Sequence, residues 1–173
     1  MREFNDKELY LGLAYAKSLD EQSGRVILEK FQQTQPLLAQ TLLGVFPSVI
    51  AEQDQTMAHL YLDLVFDILC TFQHIAGELP SQQSMGLNWL QEKAAFLDSE
   101  MMSMMSGKFD RHSVFDSNDQ TGLTRFMHDS VDAYTSENPI PVPAIRLVKT
   151  LLFVTVQLFC SLHDQAASAK TVH

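Results

Sequence analysis

No lysine or arginine occurs between Lys30 and Lys93, although the 173-residue chain carries 12 of them. Glu52, Asp54, Asp63, Asp67, Glu78 and Glu92 fall inside that gap, so the middle of the sequence is expected to present a negative field. The whole chain has a formal net charge of −9 and a pI near 5.0. Phosphate backbones are held by cations, so this balance excludes a general nucleic-acid binder. It also disfavours adhesion to an anionic membrane surface. Glycine and proline are scarce, at 7 and 6 residues, which excludes a turn-rich all-β design. The 2 cysteines, Cys70 and Cys160, lie far apart and make no disulfide framework. Both sit in apolar helical contexts, where a free, buried thiol is the ordinary outcome.

Long apolar runs are missing as well. The most apolar segment, 147–162, is shorter than the roughly 20 residues a bilayer span needs. Lys149 and Gln157 interrupt it. The opening Met1-Arg-Glu-Phe-Asn-Asp lacks the apolar centre of a signal peptide. These features predict a soluble, cytoplasmic chain that does not span a membrane. A hydrophobic content of 46% against 19% charged residues is enough for one domain with a sizeable core, and it rules out a disordered chain.

The apolar spacing is helical throughout. Residues 5–19 place Leu9, Leu13 and Ala16 on one face, with Asp6 as the expected cap and Lys17 in the last turn. Ser23-Gly24 is expected to end this element, and a second helix carries Val26, Ile27, Leu28 and Phe31 up to Pro36. Pro36 opens a third helix, which Pro47 breaks or kinks, with Ser48 as a new cap. A long helix then runs from Val49 or Glu52 to Gly77. Residues 82–105 read as another helix with Leu87, Leu90, Ala94, Leu97 and Met101 on one face, and 106–120 as a polar loop. A helix over 121–135 precedes Pro139, Pro141 and Pro143, the last of which opens a final helix to about Ala167. That final helix is apolar nearly all round, as a central bundle helix or an oligomer interface would be. The expected fold is all-α: a single-domain bundle of about six or seven helices with a central apolar C-terminal helix.

The strongest chemical pattern lies on the long helix. At about 100° per residue, His59, Asp63, Asp67, Cys70 and His74 share an arc of roughly 80°. Their neighbours Leu64, Val65, Ile68, Leu69 and Phe72 fill much of the remaining circumference. Residues four apart can present two ligands to one ion, so His59 with Asp63, or Cys70 with His74, is sensible metal chemistry. His59 and His74 are about 22 Å apart along the axis, so one ion needs further ligands from a second helix. His128, Asp129 and Asp132 are candidates, as are Cys160, His163 and Asp164. The competing reading of the stripe is a solvated face.

The segment His128-Asp-Ser-Val-Asp-Ala-Tyr-Thr-Ser-Glu-Asn-Pro-Ile-Pro141 locally resembles the His-Asp segment of the HD-domain phosphohydrolases. That resemblance implies His128 and Asp129 as ligands of a divalent metal, with Asp132 near the attacking water. It spans about fifteen residues, and the rest of the chain departs from that family's pattern. The upstream histidine has only His112, His59 or His74 as candidates. His74-Ile-Ala-Gly77 invites comparison with histidine phosphotransfer bundles, yet no cation lies nearby to receive phosphate. Gly-rich phosphate loops, Gly-x-Ser-x-Gly elbows and zinc or calcium signatures are absent. The methionines around Ser103 (Met101, Met102, Met104 and Met105) read as packing or contact residues.

The leading expectation is a non-catalytic binding or regulatory bundle that engages a protein partner or a second copy of itself as a homo-oligomer. The alternative is a metal-dependent phosphohydrolase that uses His128 and Asp129 with His59 or His74 to hold a divalent metal; the candidate metal residues overall are His59, Asp63, His74, His128 and Asp129. A pocket for a small apolar ligand between helices is a third.

Overall fold

The computed structural model describes residues 1–85, 88–89, 91–95, 99, 102 and 119–170. Helix α1 (Asp6–Ser18) starts at Asn5, not at the expected Asp6. The Asn5 side chain accepts the Glu8 N–H at 3.0 Å, and the Glu8 carboxylate accepts the Asn5 N–H at 3.0 Å. Two donors of the open helix end are thereby satisfied reciprocally. Helix α2 (Glu21–Thr34) begins earlier than Ser23-Gly24 suggested, because Asp20 accepts the Ser23 N–H at 2.7 Å and acts as the cap. Gly24 is therefore helical and does not break the chain. The helix ends at Gln35, ahead of Pro36 as expected.

Pro47 does not break the next helix. Segments α3 (Pro36–Gln40) and α4 (Phe46–Ala51) are joined without interruption by a wide π turn, Thr41–Val45. In a regular α-helix the Pro47 ring would strike the carbonyl four residues back. The π turn pairs the Phe46 N–H with the Thr41 carbonyl, five residues back, and its extra residue moves the backbone out of the ring's way. Ser48 caps nothing; its hydroxyl donates to the Gly44 carbonyl at 2.7 Å.

The long helix α5 (Gln55–Ala76) starts at Asp54, whose carboxylate accepts the Met57 N–H at 2.9 Å. It stops at Gly77, where φ 86° and ψ −164° describe a backbone that is nearly glycine-only. Helix α6 (Gln82–Met85) follows, and residues 88–89, 91–95, 99 and 102 are helical too, in line with the helix expected from 82 onward. Leu87, Leu90, Leu97 and Met101 of its expected face, and residues 106–118 of the polar loop expected over 106–120, lie outside the described residues; 119 and 120 form a turn. Helix α7 (Thr121–Glu137) and helix α8 (Val142–Lys170) complete the chain.

No strand occurs among the described residues, and the architecture is an all-α bundle. With α3, the π turn and α4 taken as the continuous helix they form, the described residues hold seven helices besides the helical residues 88–89, 91–95, 99 and 102. Helix α8 is the central one: every residue from Leu151 to Val156 is buried, as are Leu158, Phe159 and Leu162. It packs against α5 and α7, while α1 lies along α5. Helix α8 is also long and apolar enough by composition to cross a membrane, but two thirds of its apolar window is buried inside the protein, as befits a core helix.

Aromatic rings stack through the centre. Phe72 lies 5.2 Å from Phe4 and 5.3 Å from Phe159, and Phe31 reaches Phe159 at 5.9 Å. Each such buried side chain contributes about 1.5–3 kcal/mol relative to exposure. Several polar groups that enter the core find partners, whereas the Thr71 hydroxyl has no hydrogen-bond partner among the described residues. Tyr61 Oη sits 3.3 Å from the Thr155 hydroxyl, which itself donates to the Leu151 carbonyl at 2.7 Å. Buried Gln120 accepts the Phe4 N–H at 2.9 Å and donates to the Arg2 carbonyl at 2.7 Å, which ties the first residues to the start of α7.

Candidate functional site

The five stripe residues of α5 do not form one surface. His59 and Asp63 are exposed, Asp67 and Cys70 are buried, and His74 is exposed. The difference comes from α1, which packs along the second half of the stripe. The two helices touch where Gly12 meets Thr71: a Cβ at Gly12 would lie only 2.9 Å from Thr71 Cγ2. Because α1 comes this close, Lys17 Nζ reaches Asp67 Oδ2 at 3.4 Å, and the Tyr15 ring stacks on His74 at 5.0 Å. At the other end of the stripe, Gln55 Nε2 lies 3.3 Å from His59 Nε2. The cation missing from α5 is thus delivered by a different helix. Burial pushes the Asp67 carboxyl above its ordinary range, the Lys17 ammonium pulls it back, and Asp63 adds to the rise.

The second helix nominated to complete a metal site holds its residues elsewhere. His128 is buried between α7 and α8, with its Nε2–H donating to the Lys149 carbonyl at 3.0 Å. Asp129 is exposed. Asp132 accepts from Lys149 Nζ at 2.6 Å, so His128 and Asp132 both engage one residue of α8. On α8 itself, the His163 ring stacks on Phe72 at 5.7 Å, and burial lowers its pKa although Asp164 opposes the change. Asp164 meets the Met1 amine at 2.6 Å. Among the described residues, no three His, Cys, Asp or Glu side chains gather closely enough to hold a metal ion. His112 lies outside the described residues.

Both cysteines are free and buried, and burial pushes each thiol up to about 12. A thiol at that level is protonated at neutral pH and is neither a nucleophile nor a ready metal ligand.

A large concavity lies beside the stripe. Helix α1 packs on α5, whereas α2 packs chiefly on α3, and the space left between α2 and α5 is an open groove of about 760 Å³. Its apolar lining comes from Leu19, Leu28, Leu43, Leu62 and Phe66, all half-buried. Gly24 lies directly over Phe66: a Cβ there would sit 3.4 Å from the ring. The charged lining comprises Lys17, Arg25, Asp20, Glu21, Asp63 and Asp67. Arg25 is engaged by Glu21 at 3.2 Å, Lys17 by Asp67, and Asp20 by its own helix end.

The two walls of this groove were only half visible in the sequence. Asp63 and Asp67 stand out there, and Leu62 and Phe66 read as ordinary apolar circumference of α5. Leu28 and Arg25 carry no chemical signal of their own. The sequence clue to them is Gly24, which reads as a helix breaker but sits on the face of α2 that overlies Phe66. Comparison with family models, curated proteins and solved structures gives no match to this chain.

Proposed function

We propose that the protein is a helical binding module whose recognition surface is the groove between α2 and α5. The observation that supports this reading is an open concavity of about 760 Å³ whose apolar side chains are half-buried and rimmed by charge. That size falls within the range of ligand-binding clefts, and a mainly apolar lining with a few placed polar groups is their usual chemistry. Leu28, Leu62 and Phe66 have finished packing on one side only. A ligand that covers them removes further apolar surface from water at about 25 cal/mol per Å².

A neutral solvatochromic dye, Nile red, tests the reading directly. Its fluorescence is expected to rise and saturate with the native protein, and to fall severalfold with Leu28→Gln and again with Leu28→Gln/Leu62→Gln. Circular dichroism and a thermal melt verify that each variant is folded. Dye fluorescence that is the same in native protein and folded double variant places binding elsewhere and overturns the assignment.

A further inference from the structure

We propose that the occupant of this groove is an amphipathic helix of a partner protein, with apolar side chains on Leu28, Leu62 and Phe66 and a lysine or arginine against Asp63 and Asp67. The proposal rests on the groove being the recognition surface, and two observations carry it further.

The first is charge. Four carboxylates and two cations line the groove, an excess of two negative charges. The pairing is also uneven. Arg25 and Glu21 hold each other on the α2 side, and Asp20 is used by its own helix end. On the α5 side, Lys17 meets Asp67 at a long 3.4 Å, and Asp63 is exposed with no ion-pair partner among the described residues. Helix α5 contains no lysine or arginine along its entire length, so that wall offers Asp63 neither of them. The wall therefore favours a cation and repels a carboxylate.

The second is shape. Leu62 and Phe66 are four residues apart on α5, as are Gly24 and Leu28 on α2, so each wall repeats about every 6 Å. Gly24 adds no side chain, and the Phe66 ring lies against it: a Cβ there would sit 3.4 Å from the ring. A third helix presents rows with that same repeat, and ridges of one helix seat in grooves between others. The groove is open along its side, which suits an inserted helix. A partner helix with leucine-type residues at i, i+3, i+4 and i+7 and basic residues flanking that row matches both walls.

The test uses two fluorescein-labelled helical peptides of about 18 residues, roughly 27 Å long. Both carry the same leucine row; one flanks it with lysines, its twin with glutamates. Anisotropy titrations of the full chain are expected to show the lysine peptide binding at least about tenfold tighter than its twin, a difference of about 1.4 kcal/mol. Asp63→Asn, an exposed position where folding is not at risk, should cut that preference severalfold, and Asp63→Asn/Asp67→Asn should bring the two peptides within about twofold of each other. Asp129→Asn removes one exposed charge on α7 and should leave the preference unchanged, which separates local recognition from the pull of the net charge. Equal affinity for the two peptides overturns the proposal, as does a preference that survives the double variant or falls as far with Asp129→Asn. If Nile red binding is lost with Leu28→Gln/Leu62→Gln while neither peptide binds, the groove stands and its occupant is a small apolar molecule. A dimer in sedimentation that Leu62→Lys dissociates makes a second copy of the chain the occupant instead.

Discussion

Gly12 and Gly24 lie on neighbouring helices and answer opposite demands. At Gly12 the absent Cβ lets α1 reach α5, since it would stand 2.9 Å from Thr71 Cγ2 and 3.1 Å from Thr71 Cα. Backbone cannot yield as a flexible side chain does, so Gly12→Ala is expected to destabilise by about 1–3 kcal/mol. It should also lengthen the Lys17–Asp67 contact, because both depend on the same approach. At Gly24 the new methyl would make ordinary contact with Phe66 Cζ at 3.4 Å. Gly24→Ala is then expected to gain about 0.5–1 kcal/mol from helix propensity. Urea midpoints of the two variants, moving in opposite directions, check both expectations.

Asp67 gives the residue scale its pH signature. Burial raises its carboxyl above the ordinary 3.8, against the opposing pull of Lys17. The folded chain therefore keeps a proton that the unfolded chain has already lost. Between the unfolded and folded values the unfolded state binds fewer protons, so this group removes stability as pH rises through that window. Asp67→Asn cannot ionise. It is expected to be more stable than the native protein at pH 7, with the two stability curves converging as pH falls below 3.8. A native protein more stable than the variant at pH 7 would show that the Lys17 contact outweighs the cost of burial.

At the scale of elements, helix ends and interruptions follow from single residues. Asn5, Asp20 and Asp54 each cap a helix through a side-chain oxygen, and Gly77 ends α5 in a conformation with positive φ. No Cβ lies crowded at Gly77, since nothing stands within 4 Å of that position, so the cost of Gly77→Ala is conformational alone. A loss of about 1–3 kcal/mol is expected, read as a lower urea midpoint with an unchanged slope. Several of these signals were legible in advance. Pro36 and Gly77 acted as written, because their effects come from their own backbone angles. Gly24 and Pro47 did not. Asp20, four residues before Gly24, sets the start of α2, and a π turn accommodates Pro47. Both outcomes depend on neighbours that a residue-by-residue reading does not weigh.

For the whole molecule, the apolar core joins α1, α2, the continuous α3–α4 helix, α5, α7 and α8, and the fold should lose all of them together. Cys70 and Cys160 report on this from two helices at once, because both are buried and both thiols are pushed up to about 12. A chromogenic disulfide reagent at pH 8 is expected to react with neither in the folded protein and with both once urea unfolds it, along one common transition. Reaction of one cysteine well before the other would mean that one of the two helices opens on its own.

The all-α class and the central place of the C-terminal helix were written in the sequence, because helical periodicity and an apolar circumference are properties of one segment and need no partner to be read. The polar stripe of α5 was equally visible, but its meaning was not. His59 and His74 remain on the surface while Asp67 and Cys70 are enclosed, and that division was made by α1, distant in sequence and brought against α5 by the missing side chain of Gly12. The groove is a tertiary product in the same sense: it is the space left because α1 packs on α5 and α2 packs on α3. Spacing along one chain fixes which residues share a face, whereas what lies opposite that face depends on how separate helices pack.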